Sequence, residues 1–127
     1  MNKKTLVLGA SLKPNRYSNM AIKRLVNHQV EVVAIGLRKG KVSGVPILVA
    51  TINDELYDFD LANIHTVTLY LNPKRQVAYF DFIISLNPTR VIFNPGTENV
   101  VFFDLLTENN IDFEIACTLV LLGTDQY

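Results

Sequence analysis

Short runs rich in branched apolar residues recur along this chain: TLVLG, VEVVAIG, TVTLYL, RVIF and DFEIA. Longer stretches of helical period separate most of them. A strand buried on both faces reads as a continuous apolar run, and strands alternating with helices fold into a parallel sheet covered on both sides. With 127 residues, 49% of them hydrophobic, the chain fits one domain that buries a substantial core.

The pattern predicts a first strand from Thr5 to Gly9 and a helix from about Asn19 to His28. Met20, Ile22, Leu25 and Val26 give that helix its apolar face, and Ser18 is the expected N-cap. Val30 to Gly36 reads as a buried strand. The turn-rich LRKGKVSGVP follows, with a short strand at Ile47 to Val49 and a short helix at about Ile52 to Tyr57. A third core strand, Thr66 to Leu71, stops at Asn72-Pro73, where the proline opens a helix reaching about Leu86 with Val77, Phe80, Ile83 and Ile84 turned inward. Asn87-Pro88 ends it. Arg90 to Phe93 is the fourth strand, about Glu98 to Glu108 a helix, and Asp112 to Ala116 the fifth strand. Right-handed crossovers then give an α/β fold: a Rossmann-like doubly wound, mainly parallel five-stranded sheet with helices on both faces, one domain, and expected strand order 3-2-1-4-5. Phe82, Phe102 and Phe103 exceed what one inward stripe requires and hint at a homodimer.

Twelve basic and twelve acidic side chains cancel, so no overall field draws the protein to nucleic acid or to an anionic membrane. Any anion must be held locally. No apolar run nears the roughly 20 residues that span a bilayer, and Met1-Asn2-Lys3-Lys4 leads straight into a strand, so the expected location is cytoplasmic. The single cysteine, Cys117, excludes an internal disulfide and a multi-cysteine metal site. His28 and His65 lack ligand-spaced neighbours, and no structural metal is expected.

Ligands of such sheets bind beyond the carboxyl ends of the strands at the switch point, expected here between the first and fourth strands. The loops at that edge are Gly9-Ala10-Ser11, Gly36-Leu37-Arg38-Lys39, Leu71-Asn72-Pro73, Asn94-Pro95-Gly96-Thr97 and Cys117-Thr118. Gly9 ends its strand as in a dinucleotide fingerprint, but the second and third glycines are missing. Ala10 and Ser11 are still small enough for close backbone approach. The helix N-terminus behind Ser18 suits a phosphate, with Lys13 and Arg16 as charge-assisted donors. An NAD site places an acid after strand two. This chain has Arg38, Lys39 and Lys41 instead, which fits an extra ribose phosphate as in NADP or coenzyme A. Groups for reaction chemistry are few. His28 and His65 fall on the far edge, Asp58, Asp60, Asp81 and Asp104 on helices or connections, and Cys117 alone is a reactive type at the binding edge. A binding module outranks an enzyme.

Val7-Leu8-Gly9-Ala10-Ser11, followed by Pro14, Arg16 and Ser18, resembles the GAS-x-x-P-x-R-x-S opening of the small stand-alone CoA-binding proteins. These are relatives of the CoA-binding domain of the succinyl-CoA ligase alpha subunit. Gly44, Val45-Pro46-Ile47, Asn72-Pro73, Pro95-Gly96 and Cys117 follow in the family's order, so the likeness spans nearly the whole chain. The resemblance implies a Rossmann-type fold that binds coenzyme A, with Gly9, Ala10, Ser11, Arg16 and Ser18 on phosphates. It implies Gly36, Leu37, Arg38, Leu71, Asn72 and Pro73 on the adenosine side. Two departures stand out: Ile35-Gly36-Leu37 replaces the family's Val-Asn-Pro-like turn, and Asn27-His28-Gln29 stands where a glycine is usual. The ligase's phosphorylated histidine belongs to a second domain outside this likeness, so ligase activity does not transfer. The expectation is a non-catalytic binder of coenzyme A or an acyl-CoA, with Lys13 and Gly96 also in the site, serving as carrier, sensor or partner of an acyl-CoA enzyme. The alternatives are an NADP-dependent oxidoreductase and a regulatory domain with an empty nucleotide crevice.

Overall fold

The computed structural model describes residues 2–49 and 61–127. Its elements are β1 (Thr5–Ala10), α1 (Tyr17–Asn27), β2 (Val32–Gly36), β3 (Gly40–Val42), β4 (Val45–Leu48) and β5 (Thr66–Leu69). There follow α2 (Pro73–Gln76), a 3-10 turn over Val77–Tyr79, α3 (Phe80–Leu86), β6 (Arg90–Phe93), α4 (Val100–Glu108), β7 (Asp112–Ile115) and α5 (Thr118–Gly123). The expected short helix at Ile52 to Tyr57 lies outside the described residues.

The strands form one sheet of order β3-β4-β2-β1-β5-β6-β7, parallel throughout except for the antiparallel β3–β4 pair. The doubly wound fold stands, with two corrections. The sheet has seven strands, because LRKGKVSGVP is itself a hairpin: Ser43 and Gly44 both take positive φ, 50° and 81°, the backbone of a tight two-residue turn. That hairpin also corrects the strand order. β4 takes the third place beside β2, and the strand beginning at Thr66 pairs directly with β1. The switch point therefore lies between β1 and β5, where the crossovers change direction.

Each face of the sheet has its own core. On one, Val7, Ala34 and Ile47 pack with Ile22 and Leu25 of α1 and Leu122 of α5. On the other, Leu6, Leu8, Val67, Leu69, Val91 and Phe93 meet α3 and α4. The helix expected to run unbroken from Pro73 to Leu86 is interrupted at Val77–Tyr79. The break takes Val77, expected inside, out to 60% exposure, and brings Phe80, Phe82 and Ile83 inward together. Asn87 closes α3 in the left-handed region, φ 47°, which Asn tolerates. Asn99 caps α4 through its side chain, accepting from Phe102 N at 3.3 Å. Arg16, not Ser18, stands at the N-cap of α1; Ser18 is buried within its first turn. The helix α5, absent from the sequence reading, follows Cys117 directly.

The surplus aromatics are consumed by the core. Phe82 and Phe102 are buried, and Phe102 stacks on Phe80 at 4.4 Å between centroids and meets Phe93 edge-on at 5.8 Å, so they no longer argue for a dimer. Phe103 is half-buried against Phe93 and Phe113. Among the described residues no helix is long and apolar enough to cross a membrane. Because Phe102 is fully enclosed, Phe102→Ala should cost about 3–5 kcal/mol in urea unfolding. A loss below about 1 kcal/mol would mean that the α4 core is not packed as described.

Candidate ligand-binding site

The end of β1 makes the site. β1 pairs regularly with β2 as far as Leu8, then the register shifts so that Ala10, not Gly9, meets Gly36. The chain turns at Gly9 with φ +97°, a conformation strained for any side chain, and a methyl there would stand 3.0 Å from the backbone carbon of Tyr70. Both the backbone angle and the closeness of Tyr70, just past β5, favour glycine here. The loop that follows is tied down by its own polar groups. Asn19 Nδ2 donates to Ser11 O at 2.9 Å, Lys13 N to Ser11 Oγ at 3.1 Å and Arg16 N to Lys13 O at 3.1 Å.

Above this turn opens a cavity of about 880 Å³. Its floor is Gly9, Ala10, Ser11 and the first turn of α1, including Ser18, with Lys13 and Arg16 at the loop. No side chain caps that first turn, and the leading N–H groups of a helix have no intrahelical acceptor. One flank is the end of β2: Ile35, Gly36, Leu37 and Arg38. The other flank is Tyr70, Leu71, Asn72, Arg75 and Tyr79 with the Pro95-Gly96-Thr97 turn. Every expected site residue therefore lines one space except Pro73, which begins α2 and points its carbonyl at Asn99 Nδ2, 3.4 Å away.

Leu12, Tyr17, Ile35, Tyr70, Arg75 and Tyr79 also line the cavity and were missed. The signal for Arg75 lay in the Asn-Pro pair. Asn72 Oδ1 accepts from Arg75 N at 2.9 Å, so Asn72 is a helix cap and its helix opens at the binding edge, carrying Arg75 in the first turn. Among the described residues the lining holds four cations, Lys13, Arg16, Arg38 and Arg75, and no carboxylate. Glu98, beside the rim, already accepts from Gly96 N at 2.6 Å.

A buried polar lattice holds the flanking loops. Asn94 Nδ2 donates to Thr68 Oγ1 at 2.7 Å and to Leu69 O at 2.9 Å, while its Oδ1 accepts from Thr118 N at 2.9 Å and so caps α5 from another strand. Gln76 Nε2 bridges Leu71 O and Thr97 O, at 2.9 and 2.7 Å, and Asn99 holds Gln76 Oε1 at 3.1 Å. The two loops of the second flank are thereby locked to each other. Cys117, immediately before α5, does not line the cavity. His28 is exposed at the end of α1, and His65 sits at the amino edge with Nδ1 2.7 Å from Thr66 Oγ1. The ring of His65 is kept below its ordinary pKa by burial and by the nearby Arg90 and Lys3 charges.

The domain is doubly wound, with a cationic cavity at its switch point beside a helix N-terminus, the place where ligands of such sheets bind. The family model for the CoA binding domain matches residues 3–123, and the chain belongs to that family. Coenzyme A binding in general goes with that membership. An uncharacterized protein of known structure is similar over all of this chain and 99% of its own, at 42% identity and TM-score 0.89. A Thermus thermophilus protein is similar over 99% of this chain and 91% of its own, at 19% identity and TM-score 0.83, which is a likeness of fold. A hypothetical protein from Pyrococcus horikoshii OT3 matches 88% of this chain and 75% of its own, at 25% identity and TM-score 0.75. No curated protein matches.

Tyr70 links the cavity wall to the polar lattice. Burial pushes its phenol up to about 12, against weaker opposing hydrogen bonds from Thr118 and Thr68. The folded protein holds this proton more tightly than the unfolded chain, so the contribution of Tyr70 is complete below pH 10 and is lost as the pH rises through about 12. Denaturant stability should fall across that window, and Tyr70→Phe should make the fall shallower. An equally steep fall in the variant would remove Tyr70 as its cause.

Proposed function

We propose that the protein binds coenzyme A or an acyl-CoA without chemistry of its own, acting as a carrier, a sensor or a partner of an acyl-CoA enzyme in the cytoplasm. The observation that carries this reading is the cavity floor: small residues Gly9, Ala10 and Ser11 beneath an uncapped helix start, with Arg16 at the N-cap. A pyrophosphate there would accept from the first-turn N–H groups and from the guanidinium fork of Arg16, which matches phosphate oxygens bidentately. Lys13 adds charge. The adenosine half extends over Gly36 and Leu37 on one side and Leu71 and Asn72 on the other. Arg38 then meets the ribose phosphate. The pantetheine arm runs along Tyr79 and the Pro95-Gly96-Thr97 turn.

The lining favours binding over catalysis. Among the described residues it offers cations, amides, hydroxyls and apolar rings, and no histidine, cysteine or carboxylate that could serve as a base or nucleophile. The basic end of β2 would also accept the 2′-phosphate of NADP, so NADPH belongs in the same test. Titration calorimetry with coenzyme A, acetyl-CoA and NADPH decides: heat with the first two supports the proposal, heat with NADPH alone supports a reductase, and none with any leaves the crevice empty. Arg16→Ala should raise the Kd for coenzyme A about tenfold or more, the worth of a charge-assisted contact. Unchanged affinity would take Arg16 out of the site.

A further inference from the structure

The loop after β1 carries one apolar residue among polar ones, and its seat is specific. Leu12 lies against Gly40, the first residue of β3: a methyl on Gly40 would stand 2.5 Å from Leu12 Cδ2 and 2.8 Å from Leu12 Cδ1. Gly40 therefore forms a bare socket, and Leu12, 39% exposed and lining the cavity, is the knob that fills it. The two ends of this contact lie near cations of the floor and of the β2 flank. Lys13 and Arg16 follow Leu12 in the loop, and Arg38 sits two residues before Gly40 in the turn between β2 and β3. The loop is otherwise fastened to α1 through Ser11 and Asn19, and the hairpin to β2 through β4. Leu12 on Gly40 is thus a side-chain contact between the loop and the hairpin's first strand.

We infer that Leu12 and Gly40 are positioning residues that set the span between the phosphate loop and Arg38. In doing so they set the preference for a coenzyme carrying a ribose phosphate over one that lacks it. The inference rests on the coenzyme A reading above. With the knob removed, the loop still binds a pyrophosphate through α1 and Arg16, but Arg38 is no longer held where a ribose phosphate would meet it.

The test is titration of the wild type, Leu12→Ala and Gly40→Ala with coenzyme A and with 3′-dephospho-coenzyme A, thermal melts being run beside each to establish folding. The wild type should favour coenzyme A by about tenfold or more. Both variants should keep most of their affinity for the dephospho form and lose most of the ratio, and the double variant should be no worse than the poorer single one. If the wild type discriminates and both folded variants keep its ratio, Leu12 and Gly40 do not set the span. If the wild type binds coenzyme A but does not discriminate, the inference falls while the binding proposal stands. If it binds neither compound, both fall together.

Discussion

The left-handed turn at Gly9 is the constraint on which this molecule is arranged. β1 is the central strand, and the two halves of the sheet lead away from it in opposite directions. A crevice opens only if the chain leaves β1 without covering the gap between β1 and β5. Gly9 accomplishes this by turning at φ +97°, against the backbone of Tyr70 and with no room for a methyl group. The bulge shifts Ala10 into register with Gly36, and Ser11 is then placed to accept the amide of Asn19. Two missing glycines do not matter, because the close approach is to β5 at Gly9, and the cavity floor beyond it needs only residues as small as Ala10 and Ser11.

The second requirement is that loops from separate strands hold still around that opening. Here the polar residues that a sequence reader assigns to turns serve the interior. Asn94, Thr97 and Asn99 of the NPGTEN stretch are buried, and their amides and hydroxyls satisfy strand ends, a helix start and Gln76. Buried polar groups persist where every partner is supplied, and a lattice satisfied in this way fixes geometry more narrowly than apolar packing does. The exposed members of the same stretch, Pro95 and Gly96, are left to face the cavity. One short segment thus divides its labour by alternating burial, which composition alone cannot reveal.

Much of the architecture was legible from the sequence because the signals are local and periodic. The branched runs mark β1, β2, β5, β6 and β7, and Asn72-Pro73 and Asn87-Pro88 mark the ends of the helical segment between β5 and β6. What was not legible depended on pairing across the sheet. LRKGKVSGVP reads as punctuation until Gly40–Val42 pairs with Val45–Leu48, and only then does β4 claim the place beside β2. The break at Val77–Tyr79 has no proline or glycine to announce it; it follows from the demand that Phe80, Phe82 and Ile83 all enter one core. The residues expected to form the site were read from loops that end strands, and all but Pro73 line one cavity. Arg75 of α2 and Tyr79 of the 3-10 turn were left out of that reading, because their approach to the cavity depends on how these short helical turns are oriented.

Charge completes the picture. A chain with no net charge has no long-range attraction for a polyanion, yet among the described residues the lining of its cavity carries four cations and no acid. The balance is kept by distance. Glu31 pairs with Lys4 at 3.5 Å and Glu114 with Arg90 at 3.6 Å, both beginning from residues at or near the amino ends of strands, where Arg90 also lies over the ring of Tyr127. Strands of four to six residues separate those pairs from the cavity. At roughly 3.3 Å per residue in a parallel strand this is about 13–20 Å, more than the roughly 8–10 Å over which physiological salt screens exposed charges. Guanidinium groups and helix N–H donors thus surround the crevice at short range, on loops that hydrogen bonds tie to α1 and to each other.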